Sequence, residues 1–540
     1  MKQSFRWLQV SANLKSVTYF KSNFRSEIGG RKLNLLTSLS FSIIPLAGIS
    51  AGNKATLKET KPNIVIIYAD DIGFGDLSCY GYSKVQTPNV DKLAAEGVRF
   101  TNSHCGAATS TPSRYALLTG QYAWRKEGTG IATGDAAMII KPEQYTMPRM
   151  LQTMGYKTGA VGKWHLGLGA EQGKQNWNGL ITPGLKELGF DYSYILAATG
   201  DRTPCVFMEN GRVVNLDPND PVSVSYIKNF EGEPTGKDNP ELLRVHPSHG
   251  HNQSIVNGIS RIGFMKGGKS ALWVDENIAD SITVKALQFI ENNKNQPFFL
   301  YFGTQDVHVP RVPHARFVGT SGMGPRGDAL VEFDWSVGQV MAKLKDLNLD
   351  DNTLIILSSD NGPVIDDGYQ DQALELLGEH KPWGPFRGGK YSSFEAGTRV
   401  PQIVRWPAKV KPAVSSALVT QLDWYASLAS LIGYQFKQDE APDSQNGLKT
   451  LLGKNKKNRS YVVKQNINNT LSIVVDYWKY IEPGKGAKMN KDTNIELGNL
   501  NAEQLYNLKS DPGEKTNVAE ANPKKVAELK SKLNEVKTKK

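Results

Sequence analysis

The stretch Pro62-Asn63-Ile64-Val65-Ile66-Ile67-Tyr68-Ala69-Asp70-Asp71 is an unbroken apolar run that ends in two carboxylates. A run of this length without polar alternation is the pattern of a central parallel strand covered on both faces. Adjacent acids at a strand end repel each other and need a partner. A solvated turn is the plain reading; a hard cation held by oxygen ligands, calcium or magnesium before zinc, is the functional one.

Three further runs repeat the design. Residues 157–161 lead into Gly162-Lys163-Trp164-His165-Leu166-Gly167. Pro297-Phe298-Phe299-Leu300-Tyr301-Phe302 leads into Gln305-Asp306-Val307-His308-Val309-Pro310, and residues 353–359 lead into Asp360-Asn361-Gly362. Helical patterns at 89–97, 278–294 and 329–347 fall around and between these runs. Each of the four delivers polar, titratable residues at its carboxyl end, the edge where open α/β sheets bind ligands. The pattern predicts a doubly wound sheet with a metal-capable site assembled from Asp70, Asp71, Lys163, His165, His308, Asp360 and Asn361.

Residues 110–125 read S-T-P-S-R-Y-A-L-L-T-G-Q-Y-A-W-R. Pro112 suits a first helical turn, so Ser110 stands at a helix entrance whose free N–H groups favour a tetrahedral anion, with Arg114 close behind. A capped helix and nothing more is the alternative.

The chain has 540 residues, 39% apolar and 22% charged, enough for one large and one smaller core. Seven basic residues against one Glu in the first 51 supply +6 of the net +11. The remaining excess suits anionic substrates and is too weak to argue for nucleic acid. Cys79, Cys105 and Cys205 are too dispersed for a metal cluster. Arg31-Lys32, the interrupted apolar stretch 33–47 and Gly48-Ile49-Ser50-Ala51-Gly52 read as a secretory signal, too short to span a membrane. It points to a periplasmic or secreted protein.

Residues 200–275 are polar and irregular, with Arg202, His246, His249, His251, Lys266, Lys269 and Trp273. A connection of that length needs a task, and substrate recognition is the expected one. The H-x-x-H-x-H spacing fits no zinc pattern. Beyond 413 the character changes: residues 411–416 read as a connection and 420–432 as a helix. Short strands follow over 460–480 and near 503–508, then a lysine-rich helix runs from Pro523 and frays over 537–540.

Ser110-Thr111-Pro112-Ser113-Arg114, followed by Leu118-Thr119-Gly120, resembles the C/S-x-P-x-R signature and Thr-Gly pair of the formylglycine-dependent sulfatases. Asp70 and Asp71 look like the first metal pair of that family, Asp360 and Asn361 like the second. Gly389-Lys390-Tyr391-Ser392-Ser393-Phe394-Glu395-Ala396-Gly397-Thr398-Arg399-Val400-Pro401 looks like its G-G-K-x-x-x-x-E-G-G-x-R-V-P segment. The resemblance spans residues 60–520. Ala396 replaces a frequent glycine, and Thr199 stands where many relatives carry serine.

The resemblance implies an α/β, alkaline-phosphatase-like sandwich: a large mixed, mostly parallel sheet, then a smaller C-terminal antiparallel sheet with a helix. Its parts would be a leader (1–52), a catalytic domain (60–412) and a C-terminal subdomain (413–540). It implies that a maturation enzyme oxidises Ser110 to 3-oxoalanine (formylglycine), serine being the form tied to radical-based bacterial maturation. The aldehyde hydrate would attack sulfur, as a plain hydroxyl is a weak nucleophile. One Ca2+ would be held by Asp70, Asp71, Asp360, Asn361 and the converted Ser110. Arg114 and Lys163 would steady the nucleophile and the sulfate, His308 with Lys390 would protonate the leaving group, and His165 would accept the proton that releases sulfate. Thr199, Asp201 and Arg202 would join Lys163, His308 and Lys390 in contacting a sulfated carbohydrate, a galactose or N-acetylgalactosamine unit. The rivals are a two-zinc phosphatase or phosphodiesterase of the same broad fold, and an unconverted glycan-binding protein.

Overall fold

The computed structural model describes residues 61–457 and 459–539. The expected leader, 1–52, with its signal stretch, and the final residue of the expected fray lie outside the described residues.

The core is a ten-stranded sheet. Its strands are β1 (Asn63–Ala69), β2 (Val98–Phe100), β3 (Lys157–Lys163), β4 (Tyr192–Leu196), β5 (Phe207–Glu209), β6 (Arg212–Val213), β7 (Phe298–Gly303), β8 (Thr353–Ser359), β9 (Gln402–Arg405) and β10 (Ala413–Ser415). They lie in the order β10-β2-β9-β8-β1-β7-β3-β4-β5-β6. The central five, β8 to β4, run parallel, with Ile64 level with Phe299 on one side and Leu354 on the other. Antiparallel pairings extend the sheet on both sides, and the edge strand β10 then joins β2 in parallel.

The unbroken apolar runs form the central strands because both faces are covered: Ile64 through Ala69 are wholly buried. Helices α1 (Pro88–Ala95), α2 (Ser110–Thr119), α3 (Ile278–Asn292), α4 (Gly324–Asp346) and α5 (Asp423–Ile432) pack around the sheet. In α3, Ile278, Ile282, Ala286, Phe289 and Ile290 fall on one stripe and are buried.

A second sheet joins β11 (Tyr461–Gln465), β12 (Leu471–Val475), β13 (Trp478–Ile481) and β14 (Gln504–Asn507), antiparallel throughout. Helix α6 (Pro523–Thr538) buries Val526, Leu529, Leu533 and Val536 in one cluster with Ile473, Tyr480 and Leu505. This is the alkaline-phosphatase-like sandwich that the sequence resemblance implies.

Three boundaries differ from the sequence reading. Residues 411–416 contain the edge strand β10, whose Ala413 and Val414 are exposed, so no apolar pattern betrayed it. Helix α5 starts at Asp423 because Val419 and Thr420 pair with Ser103 and His104. Lys537 stays helical and pairs with Glu482 at 3.0 Å instead of fraying. All three cysteines are free thiols. Among the described residues, no helix is long and apolar enough to cross a membrane.

Candidate active site

The four strands singled out by their polar exits are adjacent in the sheet, in the order β8-β1-β7-β3. Their carboxyl ends therefore bring Asp360, Asn361, Asp70, Asp71, His308, Lys163 and His165 to one edge. Backbone bonds tie the exits together: Asp360 N–H donates to Ala69 (3.1 Å), and Val307 N–H to Asp70 (2.8 Å). Gly162, one residue before Lys163, has φ +98°, and a Cβ there would lie 1.8 Å from the Gly303 carbonyl. Only glycine permits β3 and β7 to close at this point.

Helix α2 begins over this edge at Ser110. Thr109 makes no side-chain cap, so the entrance N–H groups are left facing the site. Ser110 Oγ donates toward Asp70 Oδ1 (3.4 Å) and Asn361 Oδ1 (3.3 Å), and Lys163 Nζ donates to it at 3.0 Å. Lys163 also pairs closely with Asp70. Arg114, four residues on, points down the same helix face. It binds Asp360 through Nε and Nη2 (3.1 and 2.8 Å) and Tyr301 through Nη1 (2.8 Å), and it lies over the Tyr68 ring.

Lys390 enters from the opposite side. Its ammonium bridges Asp71 Oδ2 and Asp367 Oδ2, each at 2.8 Å. Asn361 donates its amide to Asp71 at 2.7 Å, leaving its Oδ1 toward Ser110. Ala396 is fully buried, so the methyl that replaces a glycine in this segment is accommodated. Asp71, His165 and Tyr391 have φ of +59°, +59° and +77°. Left-handed backbone at non-glycine residues is costly, and here it falls on three site residues.

The three strand-end carboxylates face three cations, Asp360 with Arg114, Asp70 with Lys163 and Asp71 with Lys390. Burial, and then Asp360, raises the Asp70 pKa well above the usual carboxylate range, even with Lys163 beside it. Burial would raise Asp71 as well, but Lys390, His308 and Lys163 hold it low; Arg114 and Lys163 do the same for Asp360. Asp70, Asp71 and His308 each offer a ligand atom within 4.8 Å of the others. Three carboxylates and the Asn361 amide oxygen are an all-oxygen donor set that fits a hard cation. The cluster contains one histidine, whereas a two-zinc site requires more.

The histidines are neutral bases here. His165 Nε2 donates to the Ala132 carbonyl (3.0 Å), and Nδ1 is buried without a partner. Burial and Lys163 hold its pKa far below the ordinary value. His308 Nδ1 donates to Val309 (2.7 Å), which turns Nε2 toward Asp71 at 3.9 Å; burial, Lys390 and Lys163 push its pKa down to about 4.

A cavity of about 210 Å³ opens above, lined among others by Ser110, His165, His308, Lys390, Asp201 and Arg202. Asp201 is buried and gathers Arg202 (2.9 and 3.0 Å), His251 Nε2 (2.9 Å) and the Thr199 hydroxyl. His251 Nδ1 points at the His249 carbonyl (3.1 Å), so both ring nitrogens face acceptors and the ring is an imidazolium. Ser110, Asp70, Asp71, Arg114, Lys163, His165, His308, Asp360, Asn361, Lys390, Asp201 and Arg202 are thus at or beside one cleft, with Thr199 reaching it through Asp201 and Arg202. Of the other residues expected from 200–275 to recognise substrate, His249 and His251 line the cleft, while His246, Lys266 and Lys269 do not, and Trp273 is buried in the core against Phe207. Sequence reasoning missed Asp367 and Tyr301, the partners of Lys390 and Arg114. The Asp366-Asp367 pair shortly after Asn361 was the available signal for the first; Tyr301 looked like any strand aromatic.

Comparison with known proteins agrees with this geometry. The Sulfatase family model matches residues 62–434. An N-acetylgalactosamine-6-O-sulfatase of Bacteroides thetaiotaomicron is 58% identical, covering 88% of this chain and 93% of that protein. Human arylsulfatase H is 30% identical, covering 74% and 73%. A solved structure described with the metabolism of multiple glycosaminoglycans by Bacteroides thetaiotaomicron superimposes with a TM-score of 0.88 at 58% identity, covering 89% of this chain and 100% of that one.

Proposed function

The chain belongs to the sulfatase family and hydrolyses sulfate esters, and from that premise we propose that its substrate is a 6-O-sulfated N-acetylgalactosamine, or the matching galactose, of a glycan. The single observation that carries the chemistry is the position of Ser110: its Oγ is within 3.4 Å of Asp70, Asn361 and Lys163 at a helix entrance. The sugar assignment is supported by the 58% identity to an enzyme of that name.

A calcium ion would be held by Asp70, Asp71, Asp360, Asn361 and residue 110, and supplies Lewis-acid polarisation of oxygen when bound. Oxidation of Ser110 to 3-oxoalanine by a maturation enzyme supplies a hydrated aldehyde, a stronger nucleophile than a serine hydroxyl.

The chain's own residues do the rest. Lys163, 3.0 Å from Ser110 Oγ, stabilises negative charge on the attacking oxygen. Arg114, locked on Asp360 and Tyr301, fixes a permanent positive charge beneath it. Lys390, braced by Asp71 and Asp367, and His308 Nε2 face the leaving group. A sulfate ester entering between them brings the negative charge that raises His308 and lets it donate a proton to the bridging oxygen as the S–O bond breaks, so that the sugar leaves as its alcohol. His165, neutral and with Nδ1 free, accepts the proton whose loss expels sulfate. Asp201 and Arg202 hold hydroxyls of the sugar.

The 31–52 stretch supports export, to the periplasm or beyond the cell. The deciding experiment matures the protein in a host that performs the oxidation and measures sulfate released from N-acetylgalactosamine 6-sulfate, its 4-sulfate and galactose 6-sulfate. Turnover confined to the 6-sulfates is expected; preference for the 4-sulfate rejects the assignment. Mass analysis of the peptide containing residue 110 should show loss of two hydrogens.

A further inference from the structure

A second cavity, about 420 Å³, lies beside the catalytic one and shares a wall with it, since Asp492 and Thr493 line both. The neighbours Asp366 and Asp367 divide between them: Asp366 faces the second cavity, while Asp367 holds Lys390 at the cleft. The floor is apolar, from half-buried Trp383 and Ile495 and buried Phe386. The polar rim carries three carboxylates, Asp366, Asp492 and Glu496, and the cation of this wall, Arg387, is already paired with Glu496 and with the Glu514 carbonyl (2.6 Å).

An aromatic floor with carboxylate acceptors above it suits a sugar ring. The C–H face packs on the indole and the hydroxyls donate to the acids. Negative charge on that ring would meet Asp366 and Asp492, and among the described lining residues the one cation, Arg387, is already committed to Glu496, which selects against it.

We infer that this cavity is a subsite for an uncharged sugar linked to the sulfated residue, so the enzyme prefers glycans whose sulfated unit adjoins a neutral hexose or N-acetylhexosamine. The inference rests on the sulfated-sugar reading above. A groove of about 450 Å³ near Lys126 and Lys141, meeting the cleft at Ile131, is where an acidic neighbour would lie instead.

The test compares three substrates on the matured enzyme: the 6-sulfated monosaccharide, the same unit joined to a neutral sugar, and the same unit joined to a uronic acid. A KM at least about fivefold lower for the neutral-extended substrate is expected, with no gain for the uronate-extended one. Trp383→Ala should erase the gain and Trp383→Phe should keep part of it, while turnover of the monosaccharide, measured in each variant, reports an intact fold. Equal KM for the monosaccharide and the neutral-extended substrate in the wild type overturns the subsite, as does a uronate gain that Lys141→Ala removes. Failure to turn over any sulfated sugar would instead reject the activity itself.

Discussion

Lys163 Nζ stands 3.0 Å from Ser110 Oγ while also pairing with Asp70, so one buried cation serves the reacting oxygen and a neighbouring carboxylate together. Lys163→Met should lower kcat about 100- to 1,000-fold with a smaller change in KM, because charge stabilisation at a dry site is felt mainly in the transition state. Ser110→Ala should remove turnover and leave thermal unfolding near wild type. Sulfate release and calorimetry check both; a Lys163→Met enzyme with unimpaired kcat removes this lysine from the mechanism.

Chelation should abolish activity and lower the unfolding midpoint, because repulsion among Asp70, Asp71 and Asp360 is then offset only by Arg114, Lys163 and Lys390. A cation present at a hundred times its Kd contributes about 2.7 kcal/mol to stability. Calcium should restore both readouts. Restoration by zinc and not by calcium would contradict the oxygen-ligand assignment.

His251 carries a pH prediction. Burial would lower its pKa, but the bond to Asp201 wins and raises it above the ordinary value of 6.5; Asp367 and the Tyr369 ring, 4.9 Å away, complete its surroundings. The charged form is the favoured one. Its support of Asp201 is complete below pH 6.5 and is lost as pH climbs through the raised value. KM should therefore rise as pH climbs above 6.5 through that raised value, and His251→Gln should show a higher KM without that limb. An unchanged KM profile in the variant refutes the role.

Away from the cleft, Asp76 accepts two bonds from Arg326 (2.8 and 2.9 Å) and one from His380 (2.7 Å), and Asp76 and Arg326 are completely buried. Asp76→Asn leaves the guanidinium without its counter-charge. A loss of about 3–5 kcal/mol in denaturant unfolding is expected; a loss below about 1 kcal/mol would mean that solvent reaches the pair.

Gly362 follows Asn361, and a Cβ there would lie 1.6 Å from the Ala396 carbonyl oxygen. Gly362→Ala must push the metal-strand exit away from the segment that carries Lys390. Reduced calcium affinity by isothermal titration is expected with the overall fold kept. Unaltered affinity would show that the two segments move independently.

The central strands and the whole polar edge were legible because burial on both faces writes unbroken apolar runs, and the chemistry sits one or two residues past each of them. Ser110 and the Lys390 segment were found through resemblance, not periodicity. The strand at Ala413–Ser415 was hidden because an exposed three-residue edge needs no apolar residues. Asp367 and Tyr301 were hidden for another reason: their parts depend on contacts with Lys390 and Arg114 across long separations, which no local pattern records. The spacing of His246, His249 and His251 matched no zinc pattern, and it gave no hint that His251 is tied to Asp201 in the cleft wall.

Asp70, Asp71, Lys163, Asp360 and Asn361 are anchored to neighbouring strands while Asp201, Arg202 and His251 ride on the winding 200–275 excursion, so the strand-end cluster and the outer wall of the cleft are carried by separate parts of the chain. The excursion also supplies β5 and β6 of the large sheet, so changes confined to its loops can retune which carbohydrate is admitted while the central parallel ladder stays intact. Such a scaffold can diversify into many desulfating specialists by editing its periphery alone.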